Sequence, residues 1–147
     1  MAPEEPTPGG SYRIQSKATG FQLIVTGHDA PGWDEGRPHV ELNRDRDGGL
    51  WEVTSADVGL RFGTNGTFPW GGAGTHLGVL DSNAERQVYI LPPNDGSYQK
   101  WRPIPDGEGY WQLVNVATGF ALDASEEDVY TMEPNDGAHQ RWGFFRS

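Results

Sequence analysis

Two stretches of the chain are nearly the same: residues 93–101 read PNDGSYQKW, and residues 134–142 read PNDGAHQRW. They share the Pro, Asn, Asp and Gly at the start and the Gln-x-Trp at the end, at an offset of 41 residues. Self-similarity at a fixed period is typical of folds in which each repeat is one structural unit packed on its neighbours. The chain is therefore expected to be built from repeats of about 40 residues.

A second match places the first repeat. Residues 18–23 read ATGFQL and residues 117–122 read ATGFAL, at an offset of 99. The two offsets predict three repeats, at about 11–55, 56–104 and 105–147, in one domain of residues 11–147. Residues 1–10, which are rich in Pro, Gly and Glu, are predicted to be a flexible N-terminal segment.

Each repeat contains short segments typical of β-strands. They are rich in aromatic and β-branched residues, alternate between polar and apolar positions, and are bounded by Gly, Pro, Asn and Asp. These segments are 12–14, 59–62, 88–91, 111–114 and 129–132. The repeated Asn-Asp-Gly is expected to adopt positive φ in a tight hairpin turn just ahead of the closing strand. No convincing amphipathic helix competes with this pattern.

Twelve short strands in three copies need to be closed, because an open sheet would expose unpaired edges. A barrel capped by three hairpins achieves closure, with one lobe from each repeat. The predicted fold is all-β, a β-trefoil of twelve short strands. Trp51, Trp101 and Trp142 close the three repeats and are expected to lie in a pseudo-threefold core.

Composition excludes several classes of partner. Eleven Lys and Arg against 21 Asp and Glu give a net charge of −10, which disfavours nucleic acid and anionic lipid. No stretch approaches the roughly 20 apolar residues of a membrane span, and the start of the chain does not resemble a signal peptide. A cytoplasmic protein, or one secreted without a classical signal peptide, is expected. The chain has no cysteine, so neither disulfides nor zinc–thiolate sites can form.

Motifs for catalysis and cofactor binding are missing from the sequence. There is no nucleophile elbow, P-loop or dinucleotide fingerprint. The four histidines, at positions 28, 39, 76 and 139, have no spacing that would place two ligands on one element. The expectation is a protein that is not an enzyme and needs neither cofactor nor metal.

The Gln-x-Trp triplets at residues 99–101 and 140–142, with the TGxxLD motif at 118–123, resemble the signature of the ricin-B-type lectin family. The resemblance covers nearly the whole chain. It implies a β-trefoil that binds galactose, N-acetylgalactosamine or related sugars. Glycans or glycoconjugates are then the expected partners, and two sites or a homodimer would raise the apparent affinity.

In repeat three, the resemblance places Asp123 at the position of the sugar-binding aspartate and Gln140 at the Gln of the motif. The family's aromatic platform falls on Met132 and its Asn on His139, so Tyr130 is expected to replace the platform. Sugar binding needs an aromatic face together with fixed carboxylate and amide groups. The predicted carbohydrate-binding residues of this repeat are Asp123, Tyr130, Asn135, His139 and Gln140.

In repeat two, Gly78 is taken to stand at the position of Asp123, which would remove the anchoring carboxylate. Residues 68–74 and 88–94 are nevertheless similar to an aromatic and aliphatic patch of certain small fungal lectins of this class. There Trp70 and Tyr98 would stack on sugar rings, and Asn94 would supply polar contacts. Tyr89 and Leu91 would line the groove.

Repeat one is expected to be degenerate, because Ile24 replaces the aspartate and Gly49-Leu50-Trp51 replaces Gln-x-Trp. An insertion near residues 28–38 carries Trp33, which would suit contact with a partner. A trefoil protease inhibitor is the alternative function, acting through this loop or through residues 67–74. Such inhibitors do not need the Gln-x-Trp or TGxxLD motifs, so their presence favours the lectin.

Overall fold

The computed structural model describes residues 3–26, 39–44, 49–65 and 77–146. Within these ranges the chain is all-β, as predicted, with two short 3-10 turns at Ser97–Gln99 and Ala138–Gln140. The strands are β1 (Ser11–Ser16), β2 (Gln22–Thr26), β3 (His39–Asn43), β4 (Trp51–Ser55), β5 (Leu60–Asn65), β6 (Leu77–Ser82), β7 (Val88–Leu91), β8 (Trp101–Pro105), β9 (Trp111–Asn115), β10 (Ala121–Ser125), β11 (Asp128–Met132) and β12 (Trp142–Phe145).

Six of the strands close into a barrel. Strand β1 pairs with β4, β4 with β5, β5 with β8, β8 with β9, β9 with β12, and β12 pairs back with β1, all antiparallel. Each repeat contributes its first and fourth strands to this ring. The closed pairing leaves these strands without an exposed edge.

The remaining strands form three hairpins, β2–β3, β6–β7 and β10–β11, one from each repeat. The hairpins contact one another through three backbone pairs that follow the repeat order: Glu41 with Asp128, His39 with Tyr89, and Gln87 with Tyr130. A six-stranded barrel capped by three such hairpins is the predicted β-trefoil.

The three closing tryptophans lie in the core, as predicted, and their side chains are fully buried. Each indole N–H donates a hydrogen bond to a backbone carbonyl in the hairpin strand of its own repeat. The pairs are Trp51 Nε1 to Leu23 at 3.1 Å, Trp101 Nε1 to Leu80 at 3.2 Å and Trp142 Nε1 to Leu122 at 3.0 Å. This repeated bond fastens each hairpin to the barrel.

The Asn-Asp-Gly turns differ from the prediction. Gly96 has a φ of −72° and Gly137 a φ of −73°, so the expected positive φ is wrong. Instead, Asn94 Oδ1 accepts a hydrogen bond from the Gly96 N–H at 2.7 Å, and Asn135 Oδ1 does the same with Gly137. An Asn side chain can replace a backbone carbonyl in this way, and the chain then continues into the 3-10 turn.

The segment before β1, predicted to be flexible, makes backbone hydrogen bonds to the barrel. The Glu4 N–H donates to the Phe144 carbonyl at 2.7 Å, and the Gly9 N–H donates to the Val53 carbonyl at 2.8 Å. The Val53 N–H in turn donates to Gly10 at 2.9 Å. Residues 3–10 therefore run along β4 and β12. Among the residues described, no helix has the length and apolar character needed to cross a bilayer.

An ion-pair cluster joins the end of β1 to the loop before β9. Lys17 Nζ lies 3.2 Å from Asp106 Oδ2 and 2.9 Å from Glu108 Oε1. Asp106 Oδ1 also accepts hydrogen bonds from the backbone N–H groups of Glu108 and Tyr110, at 2.7 and 3.1 Å. Burial raises the pKa of Asp106, but these donors and the Lys17 ammonium together outweigh burial, and the net pKa lies below the ordinary value.

We expect Trp142→Phe to lower the free energy of unfolding by about 2–3 kcal/mol, because it leaves a cavity and an unpaired buried carbonyl at Leu122. Urea denaturation measures the change. The control is Tyr98→Phe, since the Tyr98 side chain is 41% exposed and should contribute less than about 0.5 kcal/mol. Equal stability of the two variants would contradict a structural role for the indole N–H.

We expect Asp106→Asn to lower the free energy of unfolding by about 1 kcal/mol at pH 7. Because the folded-state pKa of Asp106 is lowered, its contribution is complete above the ordinary value of 3.8 and is lost as the pH falls through the folded-state pKa. The difference between wild type and variant should therefore vanish near pH 2. Urea denaturation across this range measures it, with the exposed Asp136→Asn as control. A difference that stays constant with pH would exclude the carboxylate as its source.

Candidate functional site

The hairpin β10–β11 of repeat three carries the predicted site. Asp123 on β10 pairs directly with Tyr130 on β11. The turn between the strands contains Glu126 at a φ of 55°. Along β11, Val129 and Thr131 are buried, whereas Asp128, Tyr130 and Met132 alternate with them on the outer face. This alternation presents the Tyr130 side chain next to Asp123.

The Asp123 carboxylate is fixed by two hydrogen bonds. Its Oδ1 accepts from the Ala124 N–H at 2.7 Å, and its Oδ2 accepts from Gln140 Nε2 at 2.9 Å. A carboxylate has about four acceptor positions, so it keeps capacity to accept hydrogen bonds from a ligand. The carboxylate is therefore held in one orientation before any ligand arrives.

Gln140 lies behind this carboxylate and is fully buried. Its Nε2 donates to Asp123 Oδ2 and to the Glu133 carbonyl, at 2.9 and 2.8 Å. Its Oε1 accepts from the Asn135 N–H at 2.8 Å and from Gln112 Nε2 at 2.9 Å. The prediction that Gln140 contacts sugar is corrected, because a buried amide with all four of these bonds has no surface for a ligand. Gln140 is a positioning residue.

The other four residues predicted for repeat three lie together. Asp123, Tyr130, Asn135 and His139 line one open cavity of about 240 Å³. Ala124, Ser125 and Gly137 complete its wall. The sequence motif thus identifies side chains that the fold brings to one place from a hairpin and the following 3-10 turn.

Asn135 and His139 form the exposed side of the cavity. Asn135 Oδ1 is used by the Gly137 N–H, and within the described residues no acceptor takes the Asn135 Nδ2 donors. His139 belongs to the 3-10 turn that precedes the buried Gln140. The cavity therefore offers a carboxylate acceptor at its base and amide and imidazole groups at its rim.

Tyr130 supplies the aromatic group, and its phenol stays neutral at ordinary pH. Partial burial raises the pKa of Tyr130, and the Asp123 charge raises it further, while a hydrogen bond with the Ser125 side chain acts in the opposite direction. Met132, at the family's platform position, does not line this cavity. It lies beside Arg86, whose Nη1 is 3.7 Å from the Met132 sulfur. Tyr130 is therefore the residue that can take the platform's place.

In repeat two, the prediction that Gly78 replaces the aspartate is wrong. Asp81 holds that position, because it accepts a hydrogen bond from Gln99 Nε2 at 2.9 Å and pairs with Tyr89, as Asp123 does with Gln140 and Tyr130. The β6–β7 connection is one residue longer than β10–β11, which changes the offset from 41 to 42 residues. The shared Leu-Asp dipeptide, Leu80-Asp81 and Leu122-Asp123, is the signal that could have found it.

The structure separates the other residues predicted for repeat two. Tyr89 is only 4% exposed and its hydroxyl donates to the Ser82 carbonyl at 3.1 Å, so its ring is not available for stacking. Tyr98 is exposed and Leu91 half-buried. Asn94 lines a different cavity, of about 360 Å³, with Glu52, Thr54 and Arg61 among its other residues. Trp70 lies outside the described residues.

Repeat one has Ile24 at the equivalent position, paired with Glu41, so it lacks the anchoring carboxylate as predicted. The Trp33 loop and residues 67–74, on which the inhibitor alternative rests, lie outside the described residues. Within the ranges that are described, no three His, Cys, Asp or Glu side chains cluster in a way that could hold a metal.

Comparison with known proteins identifies relatives of the fold. A family model described as "Ricin-type beta-trefoil lectin domain-like" matches residues 46–132, more than half of the chain. No curated protein sequence matches. Each of the solved structures described next is at most 21% identical to the chain, so the likeness to them concerns the fold alone.

A salivary protein from Culex quiquefasciatus of the Cysteine and Tryptophan-Rich family has a TM-score of 0.73 at 20% identity, covering 98% of this chain and 99% of that one. The designed threefold-symmetric protein ThreeFoil has a TM-score of 0.68 at 21% identity, covering 93% and 99%. SeviL, bound to asialo-GM1 saccharide, has a TM-score of 0.66 at 16% identity, covering 96% and 99%.

We expect Gln140→Glu to lower the free energy of unfolding by about 2–4 kcal/mol at pH 7, because it removes two donors and sets a carboxylate against Asp123. The loss should shrink in acid, where the new carboxyl is protonated. Gln99→Glu, the equivalent change beside Asp81, should behave alike. Urea denaturation of both variants at pH 7 and about pH 4 measures this. A neutral effect of either change would contradict the network as drawn.

Proposed function

Because this chain belongs to the ricin-type beta-trefoil lectin domain family, we propose that it binds carbohydrate, and that the working site is the cavity of repeat three. One observation carries the proposal: Asp123, Tyr130, Asn135 and His139 converge on one open cavity. A family motif alone would not place a site, because the same residues also serve the fold.

The groups in the cavity match what a sugar offers. A pyranose presents hydroxyls that donate and accept, and an apolar face of C–H groups. The fixed Asp123 carboxylate accepts from hydroxyls, while the Asn135 Nδ2 donates to them. The Tyr130 ring supplies the apolar contact and its neutral phenol a further hydrogen-bonding group. His139 closes the exposed side.

The expected affinity of this single site is low. A hexose has about twelve non-hydrogen atoms, and at roughly 0.3 kcal/mol per atom it would gain about 4 kcal/mol, or a Kd near the millimolar range. An open cavity of about 240 Å³ buries little of the ligand. Useful binding would then come from multivalent glycans, from a second site, or from a homodimer.

Repeat two is proposed as the location of any second site, and the support for it is weaker. Asp81 and Gln99 repeat the geometry of Asp123 and Gln140. The buried Tyr89 cannot provide the stacking face, so this site would depend on the exposed Tyr98 and on Trp70. Repeat one, with Ile24 in place of the aspartate, is not proposed to bind.

The proposed activity is binding without a catalytic step. The family is described as a lectin domain, and the polar groups of the repeat-three cavity are explained by sugar recognition alone. The protease-inhibitor alternative has no described residue in its favour. Glycans or glycoconjugates are the proposed partners.

The test is a broad glycan array probed with labelled wild type and with Asp123→Asn, a change that removes the charge but little volume. The matched control is Asp81→Asn in repeat two. We expect Asp123→Asn to lose at least tenfold in binding to the glycans that wild type recognises, because hydrogen bonds to a charged acceptor contribute about 1.5–3 kcal/mol. Asp81→Asn should leave that binding within about twofold. Thermal unfolding confirms that both variants are folded.

The array separates the possible outcomes. Loss on Asp81→Asn or Trp70→Ala alone would move the site to repeat two. Binding that survives both aspartate changes would exclude these carboxylates as anchors. No binding by wild type to any glycan, including dense multivalent spots, would contradict the lectin proposal.

A further inference from the structure

A second cavity lies beside the repeat-three site, where the three hairpins meet. It has a volume of about 380 Å³. Its wall is formed by Val40 and Glu41 of β3, by residues 85–87 of the β6–β7 turn, and by residues 128–132 of β11. It therefore draws on all three repeats, whereas the Asp123 cavity is built from repeat three alone.

Backbone contacts hold the walls of this cavity in place. The Thr131 N–H donates to the Arg86 carbonyl at 3.0 Å, and Gln87 pairs with Tyr130. Asp128 pairs with Glu41 on the other side. These contacts tie β11 to both neighbouring hairpins. The cavity is therefore part of the fold and does not depend on rearrangement by a ligand.

The lining is mixed in character. Met132 gives an apolar surface and is 38% exposed. The Arg86 guanidinium lies 4.9 Å from the centre of the Phe120 ring and contacts the Met132 sulfur. Three carboxylates, those of Glu41, Glu85 and Asp128, belong to the same wall. Three negative groups against one positive group disfavour an anionic ligand and provide acceptors for hydroxyl groups.

Tyr130 connects the two cavities, because it belongs to the wall of both. A ligand that leaves the Asp123 cavity past Tyr130 enters the cavity lined by Met132 and Arg86. Resting on the proposed function, we propose that the repeat-three site recognises a neutral oligosaccharide, with one sugar in the Asp123 cavity and the next on the Met132 side of Tyr130. The chain would then select glycans by length and charge as well as by the terminal sugar.

Two-dimensional ¹H–¹⁵N NMR of the full chain tests this directly. The probes are methyl β-galactoside and the neutral tetrasaccharide lacto-N-neotetraose, with 3′-sialyllactose as an anionic comparison. The galactoside should shift amides of residues 123–139 only. The tetrasaccharide should also shift amides of residues 40–41, 85–87 and 131–132, and should bind at least tenfold more tightly. Sialyllactose should bind less tightly than the tetrasaccharide.

The outcomes distinguish the two proposals. Shifts by the galactoside without any extension or gain from the tetrasaccharide would overturn the second cavity and leave the sugar site standing. An extension toward residues 94–98 instead would also overturn it. Tighter binding of sialyllactose would overturn the assignment to neutral glycans. If neither neutral probe shifts residues 123–139, both proposals fail for galactose-terminated glycans.

A variant gives an independent measurement. Met132→Ala should reduce tetrasaccharide affinity by about threefold or more, because apolar contact is lost, and should leave galactoside affinity within about twofold. The matched control is Ile104→Ala, since Ile104 is a similarly exposed apolar side chain, at 45%, on β8 and lines neither cavity. Equal effects of Met132→Ala on the two probes would overturn the proposal.

Discussion

The bond between the buried tryptophan and the hairpin is the interaction on which the candidate site depends. In repeat three, Trp142 Nε1 donates to the Leu122 carbonyl, and two residues earlier Gln140 Nε2 donates to the carboxylate of Asp123. Consecutive residues of β10 are therefore tied to residues that flank the start of β12. The indole N–H fixes the backbone and the amide fixes the side chain. The position of the site follows from the packing of the core.

The repeat geometry explains how much of this was accessible from sequence. The fold could be predicted because the tryptophans, the short strands and the turn residues all recur at nearly constant offsets. The cluster of Asp123, Tyr130, Asn135 and His139 could be predicted because these residues are close to a motif that the core holds in register. Gln140 shows the limit of that reasoning, since the motif does not tell which of its residues faces solvent.

The errors have two physical causes. Asp81 was missed because a one-residue difference in the β6–β7 connection changes the offset, and a rigid alignment then selects Gly78. The Asn-Asp-Gly turns were assigned positive φ because Asn and Gly tolerate it. In the structure the Asn135 side chain satisfies the Gly137 N–H, which makes positive φ unnecessary. Composition reports which conformations are permitted, and the neighbouring hydrogen bonds decide between them.

The comparison of repeats two and three separates the requirements of the fold from those of binding. Both repeats keep the Trp, the Gln and the Asp, and both pair that Asp with a Tyr across the hairpin. In repeat two the Tyr89 hydroxyl bonds to a backbone carbonyl and the ring is buried, whereas Tyr130 lines a cavity. The shared residues therefore account for the barrel and the hairpins. The number of sugar sites in such a chain is set by which tyrosine is exposed, and counting Gln-x-Trp motifs would overestimate it.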